Sequence, residues 1–269
     1  MRLEGKAVIV TGSATGIGAA IARRAAAEGA RVLVHGLEHD LAHGVAAEIA
    51  SRHGPGRVVV HVGELLEPGC AARLVDVAVA TFGRLDGIVN NAALVASGDL
   101  GSTTRDLFER IMGVNVLVPL ELTRAALPWL ARTRGNVVNI GSVNAHCGEP
   151  NLLPYSLSKA ALQAATRNLG DTLFREHGVR VNQVNPGWVL TENEIARKRS
   201  QGLDDDWPGR VGPQFAPSGR LIAPEEIAAV VVTFLSDECG PVSGQVCDLE
   251  QYPLLGRNPP KTIGPPRPA

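Results

Sequence analysis

The chain has 269 residues, 45% of them apolar and 20% charged, with a formal net charge of -1. That apolar share is enough to bury a substantial core, and a near-neutral balance without a basic tract argues against a nucleic-acid surface. No uninterrupted apolar run reaches the roughly 18 residues a bilayer span needs, and the start at Met1-Arg2-Leu3-Glu4 lacks a secretory signal's apolar stretch, so a cytoplasmic protein away from membranes is expected. Cys70, Cys147, Cys239 and Cys247 have neither metal-ligand spacing nor framework density; they are expected as reduced thiols, with no metal site.

Lys6-Ala7-Val8-Ile9-Val10 is short, apolar and β-branched, as a strand buried on both faces requires. It runs into Thr11-Gly12-Ser13-Ala14-Thr15-Gly16-Ile17-Gly18, and an Ala-rich helical stretch over 16–28 closes at Gly29. In such a strand–turn–helix unit, glycines let the backbone turn tightly against a pyrophosphate. The helix N-terminus adds free N–H groups and the positive end of its dipole. The spacing departs from the standard dinucleotide fingerprint, with three residues between Gly12 and Gly16 and one between Gly16 and Gly18. The strand before and the helix after favour a phosphate site over a plain tight turn.

Including the first, at 6–11, strands are expected at 31–35, 57–62, 86–90, 136–141, 179–184 and 244–249. Helices beyond the first are expected at 39–53, 68–82, 102–132, 154–177 and 224–236. Their alternation implies βαβ crossovers, hence one α/β domain over 1–252 built on a doubly wound, seven-stranded parallel sheet with helices on both faces. Residues 190–223 carry Asp204-Asp205-Asp206, several Gly and Pro and no steady period, which predicts a long loop or short-helix lid. The tail 253–269 is Pro-rich and expected to be extended or partly disordered.

Within the 154–177 helix, Tyr155 and Lys159 stand four residues apart and so on one face. A free phenol, with a pKa of about 10, is a poor acid or base at neutral pH. A fixed ammonium beside it favours phenolate, and a bound oxidised nicotinamide would add a second positive charge. Moving the phenol to about 7 takes roughly 4 kcal/mol of preferential stabilisation of its anion. The pair therefore reads as a general acid/base, with Ser142 thirteen residues upstream as its companion.

Taken together these motifs resemble the short-chain dehydrogenase/reductase family, with its single-domain Rossmann fold, and the similarity runs from about Lys6 to Gly244. The glycine turn resembles the family's Thr-Gly-x-x-x-Gly-x-Gly. Asn90-Asn91-Ala92-Ala93 resembles its Asn-Asn-Ala-Gly, with Ala in the last place. Asn115, Ser142, Tyr155 and Lys159 match its catalytic positions, and Asn185-Pro186-Gly187 with Thr191 resembles the segment that holds the nicotinamide carboxamide. The resemblance implies an NAD(P)-dependent oxidoreductase acting on a CH–OH group. Tyr155 would exchange the proton, Lys159 would hold the ribose and depress the Tyr155 pKa, Ser142 would bind the reacting oxygen, and Asn115 would anchor a water. It also implies a homotetramer or homodimer through the helices 102–132 and 154–177.

On that basis the cofactor is expected against Gly12, Thr15, Gly16, Ile17, Gly18, Gly36, Glu64, Leu65, Asn91, Ala92, Tyr155, Lys159, Pro186, Gly187, Val189 and Thr191. Gly36 stands where an acidic residue would grip the ribose of NAD, and Leu37 where NADP-preferring relatives show Arg. Gly36 leaves room for a 2′-phosphate that His35 or His39 could touch, although both histidines read better as surface residues. Glu38 would repel such a phosphate or reach the ribose itself. The balance leans slightly to NAD. Glu64-Leu65 resembles the family's Asp-plus-apolar pair against the adenine, with Glu for Asp.

The substrate side is expected from 93–98, 143–152 and 188–215, with Asn144, His146, Glu149, Asn151, Trp188, Glu192 and Trp207 facing the cleft. A polar set with two indoles suits a hydroxylated small molecule: a sugar, polyol or sugar acid. The alternatives are an NADPH-dependent 3-oxoacyl-carrier-protein-type reductase docking through Arg124, Arg132 and Arg134, or a non-catalytic dinucleotide scaffold. At the C-terminal end, Glu250-Gln251-Tyr252-Pro253 replaces the family's Asp-Gly-Gly. This segment is expected either as a surface tail or as an arm reaching a neighbouring subunit.

Overall fold

In the computed structural model, which describes residues 1–253, seven strands form a single parallel sheet. They are β1 (Ala7–Val10), β2 (Arg31–Gly36), β3 (Val58–Val62), β4 (Gly87–Asn90), β5 (Asn136–Ile140), β6 (Arg180–Pro186) and β7 (Val246–Leu249). Their order is β3-β2-β1-β4-β5-β6-β7, so the chain moves outward from β1 in one direction and then crosses back to build the other half. That reversal opens a crevice beyond the carboxyl ends of β1 and β4.

Each strand sends alternate side chains to opposite faces. In β1, Val8 and Val10 join a core with α1 (Gly16–Ala27), α2 (His39–His53) and α9 (Pro224–Leu235). Ala7 and Ile9 join the opposite core with α3 (Cys70–Phe82), α5 (Val118–Thr133) and α7 (Leu153–His177). Fully buried aliphatics such as Ile9, Ile21, Leu33 and Ile88 each contribute about 1.5–3 kcal/mol by leaving water. The small α1 face, Ala19, Ala22, Ala25 and Ala26, lets that helix sit close to α9 and the sheet.

Two elements depart from the sequence expectation, and the 190–223 segment takes its short-helix form. The helix expected over 102–132 is α4 (Arg105–Met112) and α5 separated by a π-helical turn at Gly113–Leu117. The extra residue in that turn rotates Asn115 inward, where it is buried. The combined stretch Arg105–Thr133 is long and apolar enough by length and composition to cross a membrane, but Leu122, Ala126 and Leu130 of α5 are fully buried against the sheet. A short helix, α6 (Asn144–Cys147), precedes α7, and the 190–223 segment contains α8 (Glu192–Ser200) and a 3₁₀ turn at Trp207–Arg210. Under that segment lies a third apolar cluster of Trp188, Trp207, Phe215, Ala216 and Leu221. The cysteines Cys70, Cys147, Cys239 and Cys247 are free thiols. Beyond Pro253, the Pro-rich tail lies outside the described residues.

Candidate active site

The glycine turn is built so tightly that side chains are excluded. A Cβ on Gly12 would stand 2.8 Å from the Ala92 Cα, and one on Gly18 would overlap the Gly12 carbonyl oxygen. Asn91 fixes the same turn from β4's end, its Nδ2 donating to the carbonyls of Thr11 and Gly12, each at 2.9 Å. Thr15 caps α1 in extended geometry without a side-chain cap hydrogen bond, so donors at the helix start face the cleft for an anion. His35 corrects the expectation of a surface histidine. It is buried, accepts from the Gly12 N–H on Nδ1 at 3.2 Å and donates from Nε2 to Gly63 O at 3.0 Å. Burial pushes its pKa down to about 4, so this ring is a neutral clamp on the turn.

At the far end of β2, a Cβ on Gly36 would fall 2.6 Å from the Ala14 Cβ. Glu38, Leu37 and Leu41 line the rim there, and Glu64 and Leu65 line the wall beyond β3. His39 is exposed and stacks on His43 at 3.9 Å instead of entering the cleft.

The other half of the cleft rests on a buried polar ladder. Asn90 Nδ2 donates to Asn139 Oδ1 at 2.8 Å, Asn139 Nδ2 donates to Thr166 Oγ1 at 2.8 Å, and Thr166 donates to Gln183 Oε1 at 2.8 Å. Gln183 Nε2 then donates to Asn185 Oδ1 at 2.7 Å, and the same oxygen accepts from the Ser142 N–H at 3.1 Å. Asn185 Nδ2 donates to Gln163 at 3.0 Å and to Asp248 at 2.8 Å. Ser142 is thus held through three strands. Such a network is favourable where its members find partners, as these do apart from the buried Asn90 Oδ1, which has none among the described residues.

Ser142, Tyr155 and Lys159 come together at the cleft floor, the last two on the helix face that their spacing predicts and Ser142 where the resemblance implies. Lys159 Nζ lies 5.6 Å from the centre of the Tyr155 ring and donates to Ile140 O at 2.7 Å. Burial pushes the Tyr155 phenol up to about 12, against the downward pull of its hydrogen bond to Ser142 and of the Arg197 cation. Burial likewise pushes the Lys159 amine down to about 7. The expectation that Lys159 depresses the phenol is therefore not met by the protein alone. The amine is bonded to a carbonyl, has its charged form disfavoured by burial, and shares the phenol's dry surroundings. Asn115 sits behind this pair with its side chain fully engaged. Its Oδ1 accepts from Leu94 N at 2.8 Å, and its Nδ2 donates to Leu94 O at 3.0 Å and Ser158 Oγ at 2.9 Å.

Pro186, Gly187, Val189 and Thr191 line the cleft opposite the glycine turn. A side chain on Gly187 would collide with the Glu250 carboxylate, which folds under this loop and accepts from Trp188 N at 3.2 Å. Gln251 accepts from Ser218 Oγ at 2.6 Å, and Tyr252 packs edge-on to Phe215 at 6.5 Å. Residues 250–252 thus fold onto their own chain.

Four substrate-side expectations need correcting. Trp207 is fully buried and stacks beneath Trp188 at 5.6 Å, because a large apolar ring in a non-periodic segment was needed to fill its core. His146 is exposed and pairs with Asp248 at 2.9 Å, outside the cleft lining. Asn151 lines a second cavity adjoining the first, and Glu192 lines neither. Asn144, Glu149 and Trp188 do line the main cleft, joined by Leu94, Val95, Glu194 and Arg197, which lie in the expected segments without having been singled out, and by Arg110, which the sequence reading missed.

The main cleft encloses about 730 Å³ and runs from Glu38 past the glycine turn to Tyr155 and Arg197. A side-chain-free turn, uncapped helix donors and a wall at Pro186–Thr191 fit a dinucleotide lying along it. This is a nucleotide-binding α/β protein of the doubly wound class with a Tyr–Lys pair where the ligand's far end would lie. A family model described as enoyl-(acyl carrier protein) reductase matches residues 12–250. L-fucose dehydrogenase of Bos taurus is 36% identical over 240 residues, covering 88% of this chain and 85% of the relative. The 3-oxoacyl-[acyl-carrier-protein] reductase of Thermotoga maritima is 30% identical over 251 residues, covering 93% and 98%. An uncharacterized oxidoreductase of the same organism is 32% identical over 251 residues, again covering 93% and 98%. The chain belongs to the short-chain dehydrogenase/reductase family, whose members are NAD(P)-dependent oxidoreductases.

Proposed function

We propose that the protein interconverts a secondary alcohol and its ketone in a hydroxylated small molecule, a sugar, polyol or sugar acid, with NAD as the preferred cofactor. The observation that carries this reading is the meeting of Ser142, Tyr155 and Lys159 at the end of a dinucleotide-sized cleft where Asn144, Glu149 and Arg197 also face. When bound, the nicotinamide supplies the hydride acceptor or donor. Tyr155 Oη takes the alcohol proton as the C–H bond gives up its hydride, and returns it in reduction. The Ser142 main chain is held by Asn185, and its hydroxyl, which accepts from Asn144 N at 3.1 Å, donates toward the reacting oxygen and stabilises the charge that develops there. Lys159 holds the ribose hydroxyls and, once engaged as a full ammonium, favours phenolate at Tyr155. Asn115, its side chain engaged by Leu94 and Ser158, braces the helix and loop behind this pair.

The NAD preference is supported by the rim around Gly36. Ala14, Thr15, Leu37, Glu38 and Leu41 line it, and among the described lining residues at that end there is no Lys or Arg to receive a 2′-phosphate. The sugar-class reading is supported by Asn144, Glu149 and Arg197 on the cleft wall and by the likeness to a fucose dehydrogenase. A second reading, reduction of a 3-oxoacyl chain on a carrier protein, is favoured by the likeness to the Thermotoga reductase and by the family model's description. The test is a panel of sugars, alditols, sugar acids and a 3-oxoacyl carrier protein with each cofactor, followed by nicotinamide absorbance. Turnover of hydroxylated substrates with NAD is expected. Turnover confined to the carrier-protein substrate with NADPH would replace this reading with the second.

A further inference from the structure

We infer that Arg197 is a carboxylate anchor at the junction of two cavities, and that the substrate is an acid: a hydroxy or sugar acid whose carboxylate lies away from the reacting carbon. This rests on the sugar-class reading above and narrows it. Arg197 lies in α8, three residues after Glu194 and therefore on the same helix face. Its Nε and Nη2 each donate to the Glu194 carboxylate at 2.8 Å. Glu194 is fixed in turn by the Trp188 indole N–H at 2.9 Å, and its own N–H is capped by Thr191 at 3.1 Å.

A guanidinium has two donor edges, and Glu194 occupies the one formed by Nε and Nη2. The edge formed by Nη1 and the second Nη2 hydrogen has no protein acceptor among the described residues. That edge is the one suited to bidentate capture of a carboxylate. Arg197 lines both the main cleft beside Tyr155 and a second cavity of about 500 Å³. The charged residues on the walls of the second cavity are Arg197, Lys198 and Glu149, and Lys198 lies over the Trp188 ring at 5.3 Å. Ser97, Asn151 and Gln201 add hydroxyl and amide groups there. A molecule with its reacting carbinol at Tyr155 thus has room for hydroxylated carbons beyond it and a cation to end on. Glu194 holds Arg197 rigid, so little side-chain entropy is lost on binding.

Matched pairs that differ only in the carboxylate provide the test: gluconate with glucitol and galactonate with galactitol, each with NAD and with NADP. The acid is expected to show the higher kcat/KM and, in the presence of oxidised cofactor, to raise the melting temperature where the alditol does not. Arg197→Gln should reduce the acid-to-alditol kcat/KM ratio roughly 10- to 100-fold, chiefly through KM, as loss of a charge-assisted bidentate contact would. Arg197→Lys, which keeps the charge without the fork, should fall between. An alditol turned over as well as its acid, or a ratio unmoved in both variants, would overturn the anchor while leaving the sugar-class reading intact. Should no member of any pair be oxidised with either cofactor, the sugar-class reading fails. The thermal shift then decides the anchor: an acid-induced rise that requires Arg197 upholds it, and no rise overturns it.

Discussion

The two halves of the cleft are made of different materials. The half around Gly12–Gly18 is backbone: turns without side chains, helix N–H groups, and two polar clamps, Asn91 and His35, that hold the turn from neighbouring strands. The half around Asn144, Trp188 and Arg197 is side chain, resting on an aromatic cluster contributed by a segment with no regular period. A backbone site is specified by which residues lack side chains. A side-chain site is specified by which ones face it, and that depends on packing far away in sequence.

The largest expected effect lies where the halves meet. Tyr155→Phe should cut kcat about a hundredfold to ten-thousandfold while leaving cofactor affinity nearly intact, measured by initial rates and by cofactor titration. Equal losses in both would show that the phenol is part of the binding half instead. Trp207→Ala removes a fully buried indole and should cost about 3–5 kcal/mol in urea unfolding. If the halves are as separate as the structure draws them, the surviving folded protein should lose substrate KM before cofactor Kd.

His35 supplies a test on the backbone half alone. Its folded pKa, about 4, lies below the ordinary histidine value, so the folded state favours the neutral ring. The stability this gives is fully present above pH 6.5 and drains away as pH falls from there toward 4, by about 3 kcal/mol in all. His35→Asn should flatten that part of the pH–stability curve relative to wild type, and a parallel curve would assign the acid sensitivity elsewhere. Smallest is Gly36→Asp, which should raise the NAD-to-NADP preference about tenfold through repulsion of a 2′-phosphate. Because the new Cβ would crowd Ala14, pairing it with Ala14→Gly should enlarge the change. An unmoved ratio in the pair would mean that β2 does not end beside the ribose.

What could be read from the chain follows the same division. The seven strands were legible because β-branched runs such as Val8-Ile9-Val10, buried on both faces, and Val58-Val59-Val60, half-buried at the sheet edge, are interrupted by Gly or polar residues. Gly12, Gly16 and Gly18 were legible because their spacing is itself the site. The π-helical turn at Gly113–Leu117 was not, since one inserted residue leaves helical composition unchanged. His35 was misread because a strand buried on both faces gives no alternation to tell its inward side chains from outward ones. Trp207 and Arg197 exchanged roles for a similar reason: in 190–223 no period says which residues face the cleft. One signal was available. Glu194 and Arg197 at i and i+3, just after a Thr cap, mark a short helix with a paired guanidinium.

Gly187 and Glu250 are sixty-three positions apart yet share one volume. A side chain at the first needs the Glu250 carboxylate to shift or shorten, so across an alignment of relatives the two columns should drift together. A lineage that acquires a side chain at the first must shorten the second, and one that restores a glycine at the second sets the first free. The end of β7 and the loop after β6 would then evolve as one unit, although no strand pairing joins those two residues.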